Sequence, residues 1–160
     1  MEYRIAILSE KKLVGMRQSM SFNENKTGEL WRKFMSRRKE INNIAGTDLY
    51  SLQIFPASFF DGLNPDAKFE KWAAIEVTDF VNIPPEMELL TVEEGLYAVF
   101  HYKGLPENGE VAFRYIFGTW LPQSEYELDD RPHFEILGEK YKNNDPASEE
   151  DIWIPVKFKM

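Results

Sequence analysis

The same succession of hydrophobic patterns runs twice along this sequence, and that repetition constrains the fold more than any single motif. The first pass opens as a strand, with Ile5, Ile7, Val14, Met16 and Met20 alternating with polar or small residues. Gly15 within it marks a bulge or bend. From Asn25 the period lengthens. Asn25 or Thr27 is placed to cap a helix, and Glu29 suits the positive end of its dipole. Trp31, Phe34, Met35 and Ile41 recur at helical spacing, Arg32, Lys33, Arg37, Arg38 and Lys39 form the polar face, and Gly46 closes the segment. Leu49–Phe55 and Phe69–Val77 then read as strands around a loop over 56–67. Asn82-Ile83-Pro84-Pro85 interrupts, and the pattern restarts. Leu89–Tyr102 is strand-like with a bend at Gly95. Asn108 caps a helix whose stripe is Phe113, Ile116, Phe117 and Trp120, and Pro122 ends it. Phe134–Leu137 is a short strand. A charged loop precedes a last strand, Ile152–Phe158, whose Pro155 favours a sheet edge.

Strand, helix, strand, strand, twice over, predicts an α+β fold. We expect a mostly antiparallel sheet with two main helices, arranged as two pseudo-symmetric βαββ halves within one domain over 1–160. The pseudo-repeats cover about 3–80 and 87–158. In this alignment Val14-Gly15-Met16 matches Tyr97-Ala98-Val99, and Trp31, Phe34 and Met35 match Phe113, Ile116 and Phe117. Ser51–Ile54 matches Phe134–Leu137, and Ala73–Val77 matches Ile152–Val156. A seam between similar halves is a favourable place for a ligand cleft.

Composition excludes several functions. Lys plus Arg number 19 and Asp plus Glu 27, a formal charge of −8, which repels phosphate backbones and argues against direct DNA binding. Cysteine is absent, so disulfides, thiolate metal sites and a cysteine nucleophile are excluded. No apolar run reaches the ~18–20 residues that span a bilayer, and the N-terminus lacks the form of a signal peptide, so a cytoplasmic location is expected. The nine glycines are scattered, without a phosphate-cradling loop, and no cofactor is expected.

The chemistry concentrates on Glu135. Period 2 places His133, Glu135 and Leu137 on one face of a short strand, and Phe134 and Ile136 on the other. With apolar residues on both faces, the carboxylate is either an anion in an aromatic cavity, awaiting a ligand cation, or an edge residue facing solvent or bridging to Arg131. His133 and Glu135 could also supply two metal ligands, but no third lies nearby in sequence, and no metal is expected. Trp31 and Trp120 lie on the apolar stripes of their helices. Trp72 and Trp153 could face either side of the sheet. Tyr115 lies opposite the Phe113/Phe117 stripe, on the surface or in a groove.

Several segments together resemble the GyrI-like effector-binding domain, the ligand-sensing part of AraC/Rob-type and MerR-type multidrug regulators, built on the SHS2 module. They are Trp120-Leu121-Pro122-Gln123-Ser124-Glu125-Tyr126, Arg131-Pro132-His133-Phe134-Glu135, Ile152-Trp153-Ile154-Pro155, Gly95-Leu96-Tyr97-Ala98-Val99-Phe100 and the Ile83-Pro84 loop. The resemblance runs from about residue 3 to 158. It implies a cleft between the halves that takes bulky aromatic or cationic amphipathic molecules, with Glu135 as its acidic residue. By position, Trp153, Trp120, Tyr115, Trp31 and Tyr50 are the aromatic ligand-binding candidates. The effector domain accounts for the whole length, so a stand-alone form without a helix-turn-helix is expected, serving drug or toxin sensing or sequestration. Two alternatives remain: a hydrolase of reactive, cyclopropane-type genotoxins using Glu135 and Tyr115 in the same cleft, and a gyrase-inhibitor-like module with a protein partner.

Overall fold

The computed structural model describes residues 1–62, 64–105, 109–142 and 145–160. The leading strand pattern divides into β1 (Tyr3–Leu8) and β2 (Lys11–Met20). Helix α1 (Thr27–Arg37) follows, and the Asn25 Oδ1 accepts a hydrogen bond from the Thr27 N–H at 3.0 Å, satisfying one of its free amides. The helix stops at Arg37 and a 3₁₀ turn carries the chain to Ile41. Gly46, expected to close the helix, instead lies within β3 (Ile44–Ile54). Strand β4 (Phe69–Val77) completes the first pass.

What reads as one strand at Leu89–Tyr102 is two, β5 (Glu88–Val92) and β6 (Gly95–Lys103). The second helix is α2 (Gly109–Tyr115), continued by a π-helical stretch (Ile116–Trp120) and a last turn, α3 (Leu121–Gln123), that includes Pro122. Its expected cap, Asn108, lies outside the described residues. Three strands follow: β7 (Tyr126–Leu128), β8 (His133–Leu137) and β9 (Glu149–Phe158).

All strand pairs are antiparallel, in the order β1-β6-β9-β8-β3-β4-β2-β5, with β7 added to β9. The order reads alike from both ends, because β1 and β5 each cross to the edge of the other half. This exchange bends the sheet. Six ladder steps separate β1 from β2, about 29 Å if the sheet were flat. Only Ser9 and Glu10 join them, and three Cα steps reach at most ~11 Å. The sheet must therefore curl until its ends approach each other. Its inner face closes on itself around Leu13, Leu52, Trp72, Tyr97, Val99 and Phe134. Both helices pack on the other face. Leu30 and Phe34 of α1 meet Val14, Met16, Ala73 and Ile75, while Ala112, Ile116 and Trp120 meet Ala98, Phe100, Ile152 and Ile154. Among the described residues, no helix is long and apolar enough to cross a membrane.

Two expected correspondences between the halves are one residue out of register. Val14 and Met16 face α1, but on β6 the helix-facing residues are Ala98 and Phe100, while Tyr97 and Val99 point inward. Ser51 shares its face with Glu135, its cross-strand partner, rather than with Phe134. A one-residue slip exchanges the two faces of a strand. Ala73–Val77 and Ile152–Val156 do keep matching faces. Pro155 is not on an edge strand, since β9 runs between β6 and β8. Its carbonyl accepts from the Asp129 N–H at 3.0 Å, so its nitrogen faces the same side. There it falls in the gap between the β8 pairing, which ends at Trp153, and the β7 pairing, which starts at Val156. A missing N–H costs no ladder bond at that point.

Candidate functional site

The helix face carries a strip between the two helix-covered halves, formed by β3 and β8. Alternation puts Leu49, Ser51 and Gln53 of β3 on it, paired with Leu137, Glu135 and His133 of β8. Ser51 also pairs with Ala73 beneath α1, and Glu135 with Ile152 beneath the second helix. The polar residues of the strip are thus built into the centre of the sheet.

Glu135 is 9% exposed. Burial raises its carboxyl above the ordinary range, opposed by the nearby Lys71 and by a hydrogen bond from Gln53. Lys71, on β4 and 7% exposed, is as buried as the carboxylate. Gln53 joins the two. With its amide oxygen toward Lys71, it accepts from the ammonium and donates to the Glu135 Oε2 at 3.2 Å and to the His133 carbonyl at 3.3 Å. A second carboxylate, Glu150 of β9, is pushed up to about 7 by burial and by the charge of Glu135, with Lys71 pulling the other way. Burial and both carboxylates raise the Tyr141 hydroxyl as well.

Beside this charged group lies an aromatic one. The His133 ring is packed by Phe55, Phe60 and Phe117, with centroids 4.9, 5.7 and 6.1 Å away. Burial, assisted by Arg131, lowers its pKa to about 3, so at neutral pH it is an uncharged ring. A cavity of about 230 Å³ opens here, lined by Phe55, Phe60, Leu128, Arg131 and His133 among others. Arg131 does not bridge to Glu135. Its guanidinium pairs with Asp129 at 2.8 Å, donates to the Leu96 and Val156 carbonyls, and covers the Tyr97 ring. Among the described residues, no group of three or more His, Asp or Glu side chains is arranged to hold a metal ion.

The sequence candidates fall in different places. Glu135 is on the strip. Trp31 and Tyr115 lie partly buried on the flanking helices, packed against the first and second half respectively. Trp120 is core, edge-on to Phe100 and Tyr3 and stacked on Tyr126. Trp153 and Tyr50 are on the inner face, opposite Glu135, both against Phe134. Sequence reasoning missed Lys71, Gln53, Glu150 and the His133 aromatic cluster. Lys71 had a readable signal, since it shares its strand face with Phe69, Ala73 and Ile75.

A family model described as a GyrI-like small molecule binding domain matches residues 1–157. The transcriptional regulator BrlR of Pseudomonas aeruginosa is 26% identical over 158 residues; the alignment takes in 98% of this chain but 56% of BrlR, so the chain spans about half of that relative. The structure of SAV2435 bound to tetraphenylphosphonium is similar with a TM-score of 0.73 at 18% identity, covering 98% of this chain and 94% of that one. A hydrolase encoded by lin2189 from Listeria innocua is similar with a TM-score of 0.61 at 13% identity, covering 98% and 92%. At these identities the two structural likenesses show a shared fold.

Proposed function

This chain belongs to the GyrI-like small-molecule-binding domain family, and from that premise we propose that it binds bulky aromatic, cationic or amphipathic molecules on the strip between its helices, in drug or toxin sensing or sequestration. The observation that carries the reading is Glu135, a carboxylate buried at the centre of the strip and next in alternation to the ring cluster around His133. Each aromatic–cation contact contributes about 0.5–2 kcal/mol. A few of these, with one carboxylate and some apolar burial, give an affinity near ~1 μM. Flat stacking around a single charge tolerates many shapes, so selectivity is low. The tetraphenylphosphonium bound by SAV2435, a protein of the same fold, has the expected combination of aromatic bulk and positive charge.

Titration with tetraphenylphosphonium and with neutral triphenylphosphine oxide tests this. Glu135→Gln weakens the cation much more than the neutral compound. Equal weakening of both, or none, refutes the cation-binding role of Glu135.

A second reading, hydrolysis of an electrophilic substrate, is favoured by one observation. Burial and the charge of Glu135 raise the Glu150 carboxyl to about 7, the range in which a general acid or base works at neutral pH. The likeness to the Listeria hydrolase fits this reading. Incubation with a cyclopropane-bearing electrophile decides it: a hydrolysed product that Glu135→Gln abolishes supports catalysis, and stoichiometric binding without product leaves the binder.

A further inference from the structure

The strip carries its own cation. Lys71 has its Cα on β4, one strand beyond Gln53, and β4 otherwise turns Phe69, Ala73 and Ile75 to this face. Its ammonium is directed into the polar centre, where Gln53 accepts from it and passes the connection to Glu135. The other groups around Glu135 are Ser51 and Gln53 on β3, His133 on its own strand, Glu150 on β9 and Tyr141. His133 is uncharged at neutral pH. Lys71 is therefore the cation that acts on both carboxylates, which in turn oppose the burial that lowers its own pKa.

We propose that Lys71 is the residue that sets the charge selectivity of this site: a resident counter-cation, held to Glu135 through Gln53, against which a cationic ligand must compete. The inference rests on the reading that such ligands bind at the strip. A tethered ammonium needs no association step, and it occupies the field of Glu135 wherever Lys71 carries its proton. An incoming cation meets both the attraction of the carboxylate and the repulsion of Lys71. A neutral aromatic ligand meets neither. With Lys71 present the site accepts neutral and weakly cationic aromatics on similar terms. Without it, the site becomes a strong cation trap once Glu135 is ionised.

The test is calorimetric titration of the parent, Lys71→Met and Lys71→Met/Glu135→Gln with tetraphenylphosphonium and triphenylphosphine oxide at pH 8.5. Removing an ammonium this near to a buried carboxylate should tighten tetraphenylphosphonium binding by about tenfold or more. Triphenylphosphine oxide should stay within about threefold, because it has no net charge to meet the field. The double variant should lose the gain. The gain should also shrink as pH falls, because burial raises both carboxyls and the unaccompanied carboxylates then take up protons. Lys71→Gln keeps an amide donor for Gln53 and carries the same expectation, should the methionine variant not fold. Unchanged or weaker cation binding in a folded variant overturns the inference while leaving the parent's Glu135-dependent binding intact. An equal gain for the neutral compound also overturns it, because the change is then one of space. If neither parent nor variant binds either probe, the inference falls together with the binding reading.

Discussion

Replacing Glu150 by glutamine should stabilise the protein at alkaline pH and leave it unchanged at acid pH. In the folded protein the Glu150 carboxyl is raised from the ordinary 4.5 to about 7. The native state therefore holds a proton that the unfolded chain releases over that interval. By linkage, stability falls as pH rises from about 4.5 through 7 and stays low above it. The full displacement corresponds to about 3 kcal/mol. Glu150 is only partly buried, and screening by water reduces the expected effect to ~1–3 kcal/mol. For a chain of this size, that is a melting temperature about 3–10 °C higher for Glu150→Gln at pH 8.5. At pH 4.5 the two proteins should melt together. His133 acts with the opposite sign. Its native pKa of about 3 lies below the ordinary 6.5, so stability is lost as pH falls below about 6.5. The parent's own profile contains both trends, and the difference between parent and variant isolates Glu150. Thermal unfolding by circular dichroism at the two pH values measures it. An equal difference at both, or a parent more stable than the variant at pH 8.5, refutes the assignment of Glu150 to the buried charge cluster.

Three further outcomes are expected. The Gly15→Ala methyl would run into the Ala73 carbonyl oxygen and stand 2.7 Å from the Ala74 Cα, against rigid strand backbone, whereas Gly46 has nothing within 4 Å. Gly15→Ala should cost about 3 kcal/mol or more and Gly46→Ala under 1, read by urea unfolding. Phe34→Ala removes a fully buried ring from beneath α1 and should cost ~3–5 kcal/mol in the same assay. The two histidines should separate in an NMR titration: His101, hydrogen-bonded to Asp151 and Glu149, stays protonated above the ordinary pH, while His133 remains neutral to about pH 3.

The sequence made the element types legible because their periods differ. Trp31 and Phe34 recur at helical spacing, and Phe69–Val77 holds six apolar residues within the length of a strand. Boundaries were lost where no turn residue marks them. Ser9-Glu10 separates strands without glycine or proline, Gly95 read as a bend rather than the start of a new strand, and three-residue β7 is too short to show a period. Faces were lost to register, since matching Val14 with Tyr97 and Ser51 with Phe134 pairs residues that lie on opposite faces. Glu135 stood out as a carboxylate between apolar neighbours, and its burial was readable. Its partner was not, because Lys71 lies 64 positions away and reaches it only through β3. Trp153 was placed by likeness of segments, yet its odd position on β9 turns it inward, away from Glu135.

In the proposed binding mode Glu135 attracts the ligand's positive charge on the strip between the helices. A crystal structure with tetraphenylphosphonium tests it most directly. The phosphorus should lie within about 6 Å of the Glu135 carboxylate, with phenyl groups against Phe55, Phe60 or Phe117. A phosphonium seated elsewhere, such as the groove lined by Arg17, Lys33 and Arg37, with the Glu135 strip unchanged, would contradict it.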